Sequence, residues 1–178
     1  MGDGEAAGSL GREALAYADA LYNLARYLTG NDTDAEDLVQ ETYTRALWAA
    51  SQFTPGTNLK AWLLRILRNT FISQYRRRRN DPTVGGLDTV APEIQPSADI
   101  GWLRDEVELD RLRKVVAEEL ERALMTLSDD ARTAILLDLE GLSESEAALV
   151  MGCAVGTIKS RLSRARATLR ATLKTWRA

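Results

Sequence analysis

The side chains in this chain that are best suited to chemistry are cations, and their pattern favours binding over catalysis. From Val155 to the C-terminus, 24 residues carry seven lysines and arginines and no acid, and residues 59–80 also carry seven cations and no acid. A solvated helix laced with salt bridges would carry both signs, so these segments indicate a polyanionic partner such as nucleic acid. Acids dominate elsewhere, with nine against three cations in residues 1–58 and 17 against six in residues 81–154.

Most enzymatic and metal-binding chemistry is excluded by composition. The chain has no histidine and one cysteine, which removes Ser-His-Asp triads, Cys-His dyads, Cys/His zinc sites and disulfides. Cys153 is either a small buried hydrophobe or a redox sensor, and we assign it no chemistry. We expect no enzyme activity, no catalytic residue, no metal, no cofactor and no small-molecule substrate. Since no signal peptide or long apolar run is evident, we expect a cytoplasmic protein without membrane contact.

Two helices joined by a tight turn must position the C-terminal cations. Ser143 and Glu146 form a capping box, and Gly152 is expected to end the helix that follows. A second helix should begin at Val155, with a narrow apolar stripe at Ile158, Leu162, Ala165, Leu169 and Leu173. In a helix-turn-helix, the first turns of the second helix face base edges in the major groove. Those turns carry Thr157, Lys159, Ser160, Ser163 and Arg164.

A basic helix that lies on a membrane or enters a calmodulin-like groove is the alternative. Such a helix would carry Trp, Phe or Leu along its apolar face, whereas this stripe uses small and medium residues and follows a capped partner helix. The sequence therefore favours insertion into a DNA groove.

The N-terminal half should begin with scaffold helices. We expect residues 1–9 to be disordered, a helix from Leu10 to Thr29, and a stop at Gly30. Thr33 and Glu36 form a further capping-box pattern, which predicts a helix to about Phe53. Its predicted inward face comprises Val39, Tyr43, Ala46, Leu47 and Ala50.

Three carboxylates share the outer face of that second helix. Asp34, Asp37 and Glu41 stand at i, i+3 and i+7, with Gln40 beside them. The face is either a solubilising surface, favoured near a helix N-terminus by the dipole, or a binding surface. Spacing alone leaves both interpretations open.

The first basic segment is predicted to be a helix over residues 59–79 with Asn58 as its N-cap, after a turn at Pro55-Gly56. Its predicted buried residues are Trp62, Leu63, Ile66, Leu67, Thr70 and Ile72, and its available polar residues are Lys60, Arg65, Arg68, Asn69, Ser73 and Arg76 to Arg79. Such side chains suit phosphates and base edges of a single strand. Phe53, Phe71 and Tyr75 are candidate stacking surfaces. Phe71 and Tyr75, at i and i+4, are alternatively part of the core.

The predicted fold class is all-α, with two small helical domains joined by a flexible linker. The N-terminal domain covers residues 10–80, and residues 81–104 read as a linker rich in proline and glycine. Residues 105–178 should form four helices, the third beginning after Ser143. Trp102, at the end of the linker, either starts the next core or docks elsewhere.

Both halves resemble one family, the extracytoplasmic-function (ECF) sigma factors, which are small bacterial RNA polymerase subunits with only the second and fourth conserved sigma domains. Asp34–Thr42 resembles the family's polymerase-binding helix, Leu59–Asn69 its promoter-melting and minus-10 helix, and Val155–Arg166 its minus-35 recognition helix. The resemblance covers nearly the whole chain.

The resemblance implies sites and partners. It implies that Asp37, Leu38, Gln40 and Glu41 bind the clamp coiled coil of the largest polymerase subunit, that the flap region is a further contact, and that an anti-sigma factor is a further partner. It implies minus-10 contacts by Phe53, Asn58, Arg65, Arg68, Asn69, Ser73 and Arg76. It implies minus-35 contacts by Thr157, Lys159, Ser160, Arg161, Ser163, Arg164 and Arg166. Core polymerase and promoter DNA are thus the expected partners.

Two other classes of function compete with a promoter-specificity subunit. One is a free-standing helix-turn-helix regulator, which would not co-purify with core polymerase. The other is a nucleic-acid enzyme that uses Asp34, Asp37 and Glu41 as magnesium ligands, which would require acids that converge from more than one element.

Overall fold

The computed structural model describes residues 3–80 and 106–175, with side chains over 8–75 and 115–173. In these ranges the chain is helical and has no strand, so the all-α prediction is confirmed. The predicted linker, including Trp102, lies outside the described residues. The N-terminal unit contains α1 (Asp3–Ala14), α2 (Ala18–Thr29), α3 (Asp32–Trp48) and α4 (Leu59–Asn80), with short 3-10 helices at Leu15–Tyr17 and Ala50–Gln52. The C-terminal unit contains α5 (Glu106–Met125), α6 (Asp129–Leu139), α7 (Glu144–Met151) and α8 (Val155–Thr175).

The start of the chain differs from the prediction. Residues 1–9 were expected to be disordered, but α1 begins at Asp3. Leu10 and Ala14, four residues apart, are buried in the core. A helix turn that seats both side chains gains apolar burial, which offsets the entropy cost of ordering a polar segment.

The second N-terminal helix begins two residues earlier than the capping-box pattern indicated. Asn31 is the N-cap of α3, and its Oδ1 accepts a hydrogen bond from Asp34 N at 2.8 Å. The predicted capping box of Thr33 and Glu36 was therefore wrong, because Asn31 is the N-cap and already accepts a hydrogen bond from the first turn of the helix. Gly30 ends α2 in the left-handed region with φ of 80°, as predicted.

The inward face of α3 is rotated from the predicted one. Ala35, Leu38, Thr42 and Ala46 are buried, whereas Leu47 is exposed and Val39 and Tyr43 are half-buried. Apart from Leu38, the buried residues are small and let α3 approach α2 and α4 closely, so a search for large apolar side chains selected the neighbouring stripe. In α4, Leu63, Leu67 and Thr70 are buried as predicted.

The predicted helix-turn-helix is confirmed. The Ser143–Glu146 capping box has both of its hydrogen bonds, and Gly152 ends α7 with φ of 62°. In α8, Ile158, Leu162 and Ala165 are buried against the core. Hydrogen bonds from Ser143 and then Asn58 hold the pKa of Glu146 below its usual value. Because that pKa is lowered, the cap stabilises the fold above the unfolded pKa and its contribution is lost as the pH falls through the folded pKa.

A buried arginine joins α5 to α6. The Arg132 guanidinium, 7% exposed, donates to the carbonyls of Leu124 at 3.0 Å and Leu127 at 2.9 Å. Carbonyls at a helix C-terminus lack intrahelical partners and carry partial negative charge. Arg132 thus holds the start of α6 against the end of α5 and the turn between them.

The two units pack on each other. Helix α4 lies against α7, and α2 lies near α6. Leu64 of α4 and Leu137 of α6 are fully buried, and both line a cavity of about 280 Å³ between the units. Burial raises the pKa of Glu121 on α5, while Arg26 on α2 opposes the shift.

Candidate functional site

The acidic face of α3 is accessible along most of its length. Asp37 and Gln40 are exposed, and Glu41 is half-exposed with its Oε1 at 2.6 Å from Arg45 Nε. The side chain of Leu38, which the resemblance placed in the same polymerase contact, is 1% exposed and belongs to the core, so a partner cannot reach it in this arrangement. The face that a partner can reach is therefore polar and acidic.

The carboxylates of this face do not converge on a metal site. Asp34 lies beside the N-cap, where its Oδ2 accepts a hydrogen bond from Asn31 Nδ2 at 2.9 Å. Within the described ranges, no three acids or thiols are placed to hold a metal ion. The magnesium-dependent interpretation of Asp34, Asp37 and Glu41 has no geometric support.

Sequence reasoning missed an exposed tryptophan on the same face. Trp48 is 83% exposed at the last residue of α3, and it lies eleven residues, or about three helical turns, after Asp37. Leu47, the preceding residue, is 45% exposed. The spacing along the sequence could have identified Trp48, because positions 37, 41 and 48 lie on the same side of a helix. The acidic face therefore ends on a large apolar side chain.

A row of polar side chains lies along one side of α4. Arg65, Asn69 and Ser73 recur every four residues and are all exposed. Ser73 Oγ donates to the Asn69 backbone carbonyl at 2.8 Å, and the Asn69 residue is exposed. Arg76 belongs to the same helix, but its side chain lies outside the described ones. This row presents a guanidinium, an amide and a hydroxyl on one exposed side of α4.

The loop before α4 is fixed at both ends. The rings of Phe53 and Trp62 lie 5.3 Å apart at an interplanar angle of 53°, so Phe53 is half-buried against α4. Asn58 Oδ1 accepts from Ala61 N at 3.1 Å, which confirms the predicted N-cap. Its Nδ2 donates to Glu146 Oε1 of α7 at 2.7 Å. The loop is thus anchored by an aromatic pair and a cap.

The far end of α4 borders a groove of about 780 Å³ between the units. Phe71 and Tyr75, with ring centroids 6.3 Å apart, line it together with Met125 and Leu136. Tyr75 is 51% exposed, so this pair is at the edge of the core, and stacking with bases remains a prediction. Arg68, at the groove's rim, is half-buried with Nη2 at 3.8 Å from Asp130 Oδ1.

On α8 the predicted base-facing residues fall into two groups. Lys159, Ser160, Ser163 and Arg164 are exposed, while Thr157 is half-buried. Arg164 Nε donates to the Ser160 carbonyl at 3.2 Å, so the guanidinium lies along the outer face. Lys159 Nζ lies 3.6 Å from Glu144 Oε2 and is 64% exposed. These side chains form the available face of the recognition helix.

Arg161 and Arg166 are directed toward α6. Arg161 Nη2 lies 2.5 Å from Asp130 Oδ2, and its Nη1 donates to Cys153 Sγ at 3.5 Å. Arg166 Nη2 lies 2.8 Å from Asp138 Oδ2. The Arg161 side chain is only 22% exposed, so in this arrangement its guanidinium packs within the unit.

Comparison with known proteins gives a consistent result for both units. Residues 14–80 match the family model for Sigma-70 region 2, and residues 117–169 match that for Sigma-70, region 4. An ECF RNA polymerase sigma factor, EcfG of Rhodopseudomonas palustris, is 42% identical over 93% of this chain and 85% of its own. The ECF sigma factor SigW of Bacillus subtilis is 30% identical over 89% of this chain and 85% of its own.

Solved structures of sigma factors are also similar to this chain. The sigma factor RpoE of Bartonella quintana, in complex with the anti-sigma factor NepR, is 41% identical and superposes with a TM-score of 0.70 over 92% of this chain and 95% of that chain. CnrH, in complex with the cytosolic domain of CnrY, is 28% identical with a TM-score of 0.61 over 97% of this chain and 95% of that chain.

No helix within the described ranges is long and apolar enough to cross a membrane.

Proposed function

This chain belongs to the ECF RNA polymerase sigma factors, and we propose that three described surfaces divide its work between polymerase, duplex DNA and an unpaired strand. The family assigns it the role of a subunit that directs RNA polymerase to promoters for initiation. The observation that carries the division of roles is the recognition helix α8, a capped helix-turn-helix element whose outer turns present Lys159, Ser160, Ser163 and Arg164 to solvent. That arrangement suits major-groove insertion.

The polymerase surface is the outer face of α3. Asp37, Gln40 and Glu41 offer two carboxylates and an amide to a basic partner, and we assign them to the clamp coiled coil of the largest subunit. Trp48 at the end of the face supplies an apolar anchor, since binding energy concentrates in large, well-packed aromatic side chains surrounded by polar contacts. The support for this assignment is exposure and alignment on one helical face.

The minus-35 surface is the outer face of α8. Arg164 has the bidentate donors that recognise guanine, and Ser160 and Ser163 can contact either phosphates or base edges. Arg170, exposed further along the helix, is assigned to phosphate contact only. Arg161 and Arg166 would reach DNA only after they leave Asp130 and Asp138.

The minus-10 surface comprises the loop before α4 and the row of Arg65, Asn69 and Ser73. A single strand lying along this row would place a base against the Asn69 amide and a phosphate against Arg65. Phe53 and Asn58 border the same path at the helix start. Support comes from the exposed spacing of the row and from the all-basic charge of residues 59–80.

We infer that an anti-sigma factor controls this chain. Two structural relatives with TM-scores of 0.70 and 0.61 were solved in complexes, one with the anti-sigma factor NepR and one with the cytosolic domain of CnrY. The groove lined by Phe71, Tyr75 and Leu136 is an apolar surface at which such a partner would gain burial.

Asn69→Ala and Arg65→Ala are expected to weaken strand binding in different ways. The probe is labelled single-stranded DNA selected by the wild-type chain from a randomised pool, and the measurement is fluorescence anisotropy at several salt concentrations. Loss of a base contact at Asn69 should reduce discrimination between selected and unselected strands by about 10-fold or more. Loss of Arg65 should weaken both strands equally and make the salt slope shallower by about 0.7. Identical, sequence-independent losses for the two variants would remove the strand-reading role.

A further inference from the structure

Helix α6 meets the recognition helix α8 through one ion pair at each of its ends. Asp130 is in the first turn of α6, and its Oδ2 lies 2.5 Å from Arg161 Nη2. Asp138 is in the last turn, and its Oδ2 lies 2.8 Å from Arg166 Nη2. Two cations of the recognition helix therefore meet carboxylates of their own unit.

The pair at the start of α6 has a structural explanation. The helix dipole favours a carboxylate in the first turn, and the Arg161 side chain is only 22% exposed. The same guanidinium also donates to Cys153 Sγ at 3.5 Å. Asp130 and Arg161 thus belong to the packing of α8 on α6.

The pair at the end of α6 lacks that explanation. The last turn of a helix carries partial negative charge, so the dipole of α6 disfavours the Asp138 carboxylate. The Arg166 side chain is 49% exposed and that of Asp138 is 35% exposed, so solvent weakens their attraction. The main effect of Asp138 is therefore to occupy an arginine that solvent can reach.

Arg166 lies on the side of α8 that carries the minus-35 surface. It follows Lys159 by seven residues and precedes Arg170 by four, and these spacings bring side chains to the same side of a helix. Lys159 and Arg170 are both exposed. An arginine between them is placed to contact a phosphate at the edge of the groove, because a guanidinium binds phosphate with the same fork of donors that it offers a carboxylate.

We propose that Asp138 competes with the DNA backbone for Arg166 and so limits the affinity of α8 for duplex DNA of any sequence. The proposal rests on the assignment of the outer face of α8 to duplex DNA. A guanidinium that leaves Asp138 for a phosphate exchanges one anion for another and leaves an unpaired carboxylate beside the DNA. The gain from the phosphate contact is therefore small while Asp138 is present.

The competition has a consequence for how the chain reaches a promoter. Phosphate contacts supply essentially all of the affinity for DNA of unselected sequence. An arginine withheld from phosphate lowers that affinity on every duplex alike. A chain that binds duplex weakly by itself depends on core polymerase to hold it beside the DNA, where the tether raises its effective concentration.

The test measures duplex binding by the full chain. The probes are two labelled duplexes, one selected by the wild-type chain from a randomised pool and one of unselected sequence, and fluorescence anisotropy is measured at several salt concentrations. Asp138→Asn should make the salt slope steeper by about 0.9 on both duplexes, because Arg166 then neutralises one more phosphate, and this corresponds to about fivefold tighter binding near 0.15 M salt. Asp138→Glu keeps the carboxylate and should bind both duplexes like the wild type. Since the Asp138 carboxylate opposes the dipole of α6, the midpoint of thermal unfolding of Asp138→Asn should change little.

Two controls separate a released arginine from a change in net charge. Asp129→Asn removes the same charge from the other end of α6, where the side chain is 93% exposed and lies 3.5 Å from Arg132 of the same helix. It should change duplex binding by less than about twofold, since solvent ions screen an exposed charge. In an Arg166→Ala background, Asp138→Asn should also change binding by less than about twofold.

Three results would overturn the proposal. The first is equal tightening by Asp138→Asn and Asp129→Asn, and the second is tightening by Asp138→Asn that persists in the Arg166→Ala background, since either would show that net charge alone acts. The third is unchanged or weaker binding by Asp138→Asn, which would mean that Asp138 does not withhold Arg166 from DNA.

Failure of the competition is distinguishable from failure of the α8 assignment. Arg164→Ala and Arg170→Ala should weaken duplex binding whatever Asp138 does. If they weaken it and Asp138→Asn does not tighten it, only the competition fails. If neither weakens it, α8 is not the duplex surface, and the competition is overturned together with that assignment.

Discussion

A variant that carries Asp37→Arg and Glu41→Arg together is expected to lose affinity for core RNA polymerase by about 100-fold or more. Both carboxylates lie on the accessible face of α3, so reversing them turns attraction to a basic coiled coil into repulsion. The fold should persist, since the only described partner of Glu41 is Arg45 on the same helix, and an i,i+4 pair contributes only about 0.5 kcal/mol. Co-elution with core polymerase in size-exclusion chromatography measures the loss.

Two further proteins sharpen this experiment. Glu13→Arg with Asp19→Arg makes the same charge change on exposed positions outside α3, and it should bind core polymerase like the wild type. Trp48→Ala should weaken binding by about 10-fold, because it removes an aromatic anchor without changing charge. Wild-type affinity in the Asp37/Glu41 variant would show that this face is not the polymerase surface.

Truncation of Arg164 is expected to change which duplex sequences the chain prefers. Arg164→Ala should cost about 1–3 kcal/mol at one base position, because a bidentate guanidinium contact is lost there. Arg170→Ala, an exposed cation two turns further along α8, should weaken all sequences alike and make the salt slope shallower by about one. Binding of a panel of duplexes, each with one changed base pair, distinguishes the two effects.

One outcome would contradict the base-reading role of Arg164. Losses of equal size on every duplex of the panel, for both Arg164→Ala and Arg170→Ala, would mean that α8 contacts only phosphates. The minus-35 reading role of Ser160 and Ser163 would then lose its basis as well.

Local signals predicted the helix-turn-helix well. The Ser143–Glu146 box, the left-handed Gly152 and the stripe from Ile158 depend on neighbours within a few residues, so the sequence contains everything that determines them. The same holds for the Asn58 cap. Elements whose start and stop are set by side chain to backbone hydrogen bonds are the ones that sequence reasoning predicts best.

Contacts between distant residues were the ones that sequence reasoning missed. The resemblance assigned Leu38 to the polymerase contact together with Asp37 and Gln40, and only the packing of α3 on α2 and α4 places its side chain in the core. The burial of Arg132 depends on carbonyls of the preceding helix and of the turn that follows it, which no local pattern indicates. The Lys60–Glu140 pair joins residues 80 positions apart.

Charge counting predicted the binding surfaces only in part. It correctly separated two basic segments from acidic ones, but it could not show that acids of α6 and α7 lie against cations of α4 and α8. Arg161 illustrates the difference, since its guanidinium meets Asp130 on α6. Which cations are available to DNA depends on how the helices pack within and between the units.

Run-off transcription with purified core polymerase tests the central claim most directly. The templates carry duplexes selected by the chain together with core enzyme, upstream of a transcribed segment of defined length. The wild-type chain should produce transcripts of one length that core polymerase alone does not make, and the Asp37→Arg, Glu41→Arg variant should produce none. Transcripts that are the same with and without the chain, from a chain that still binds the selected duplex, would contradict its role as a promoter-directing subunit.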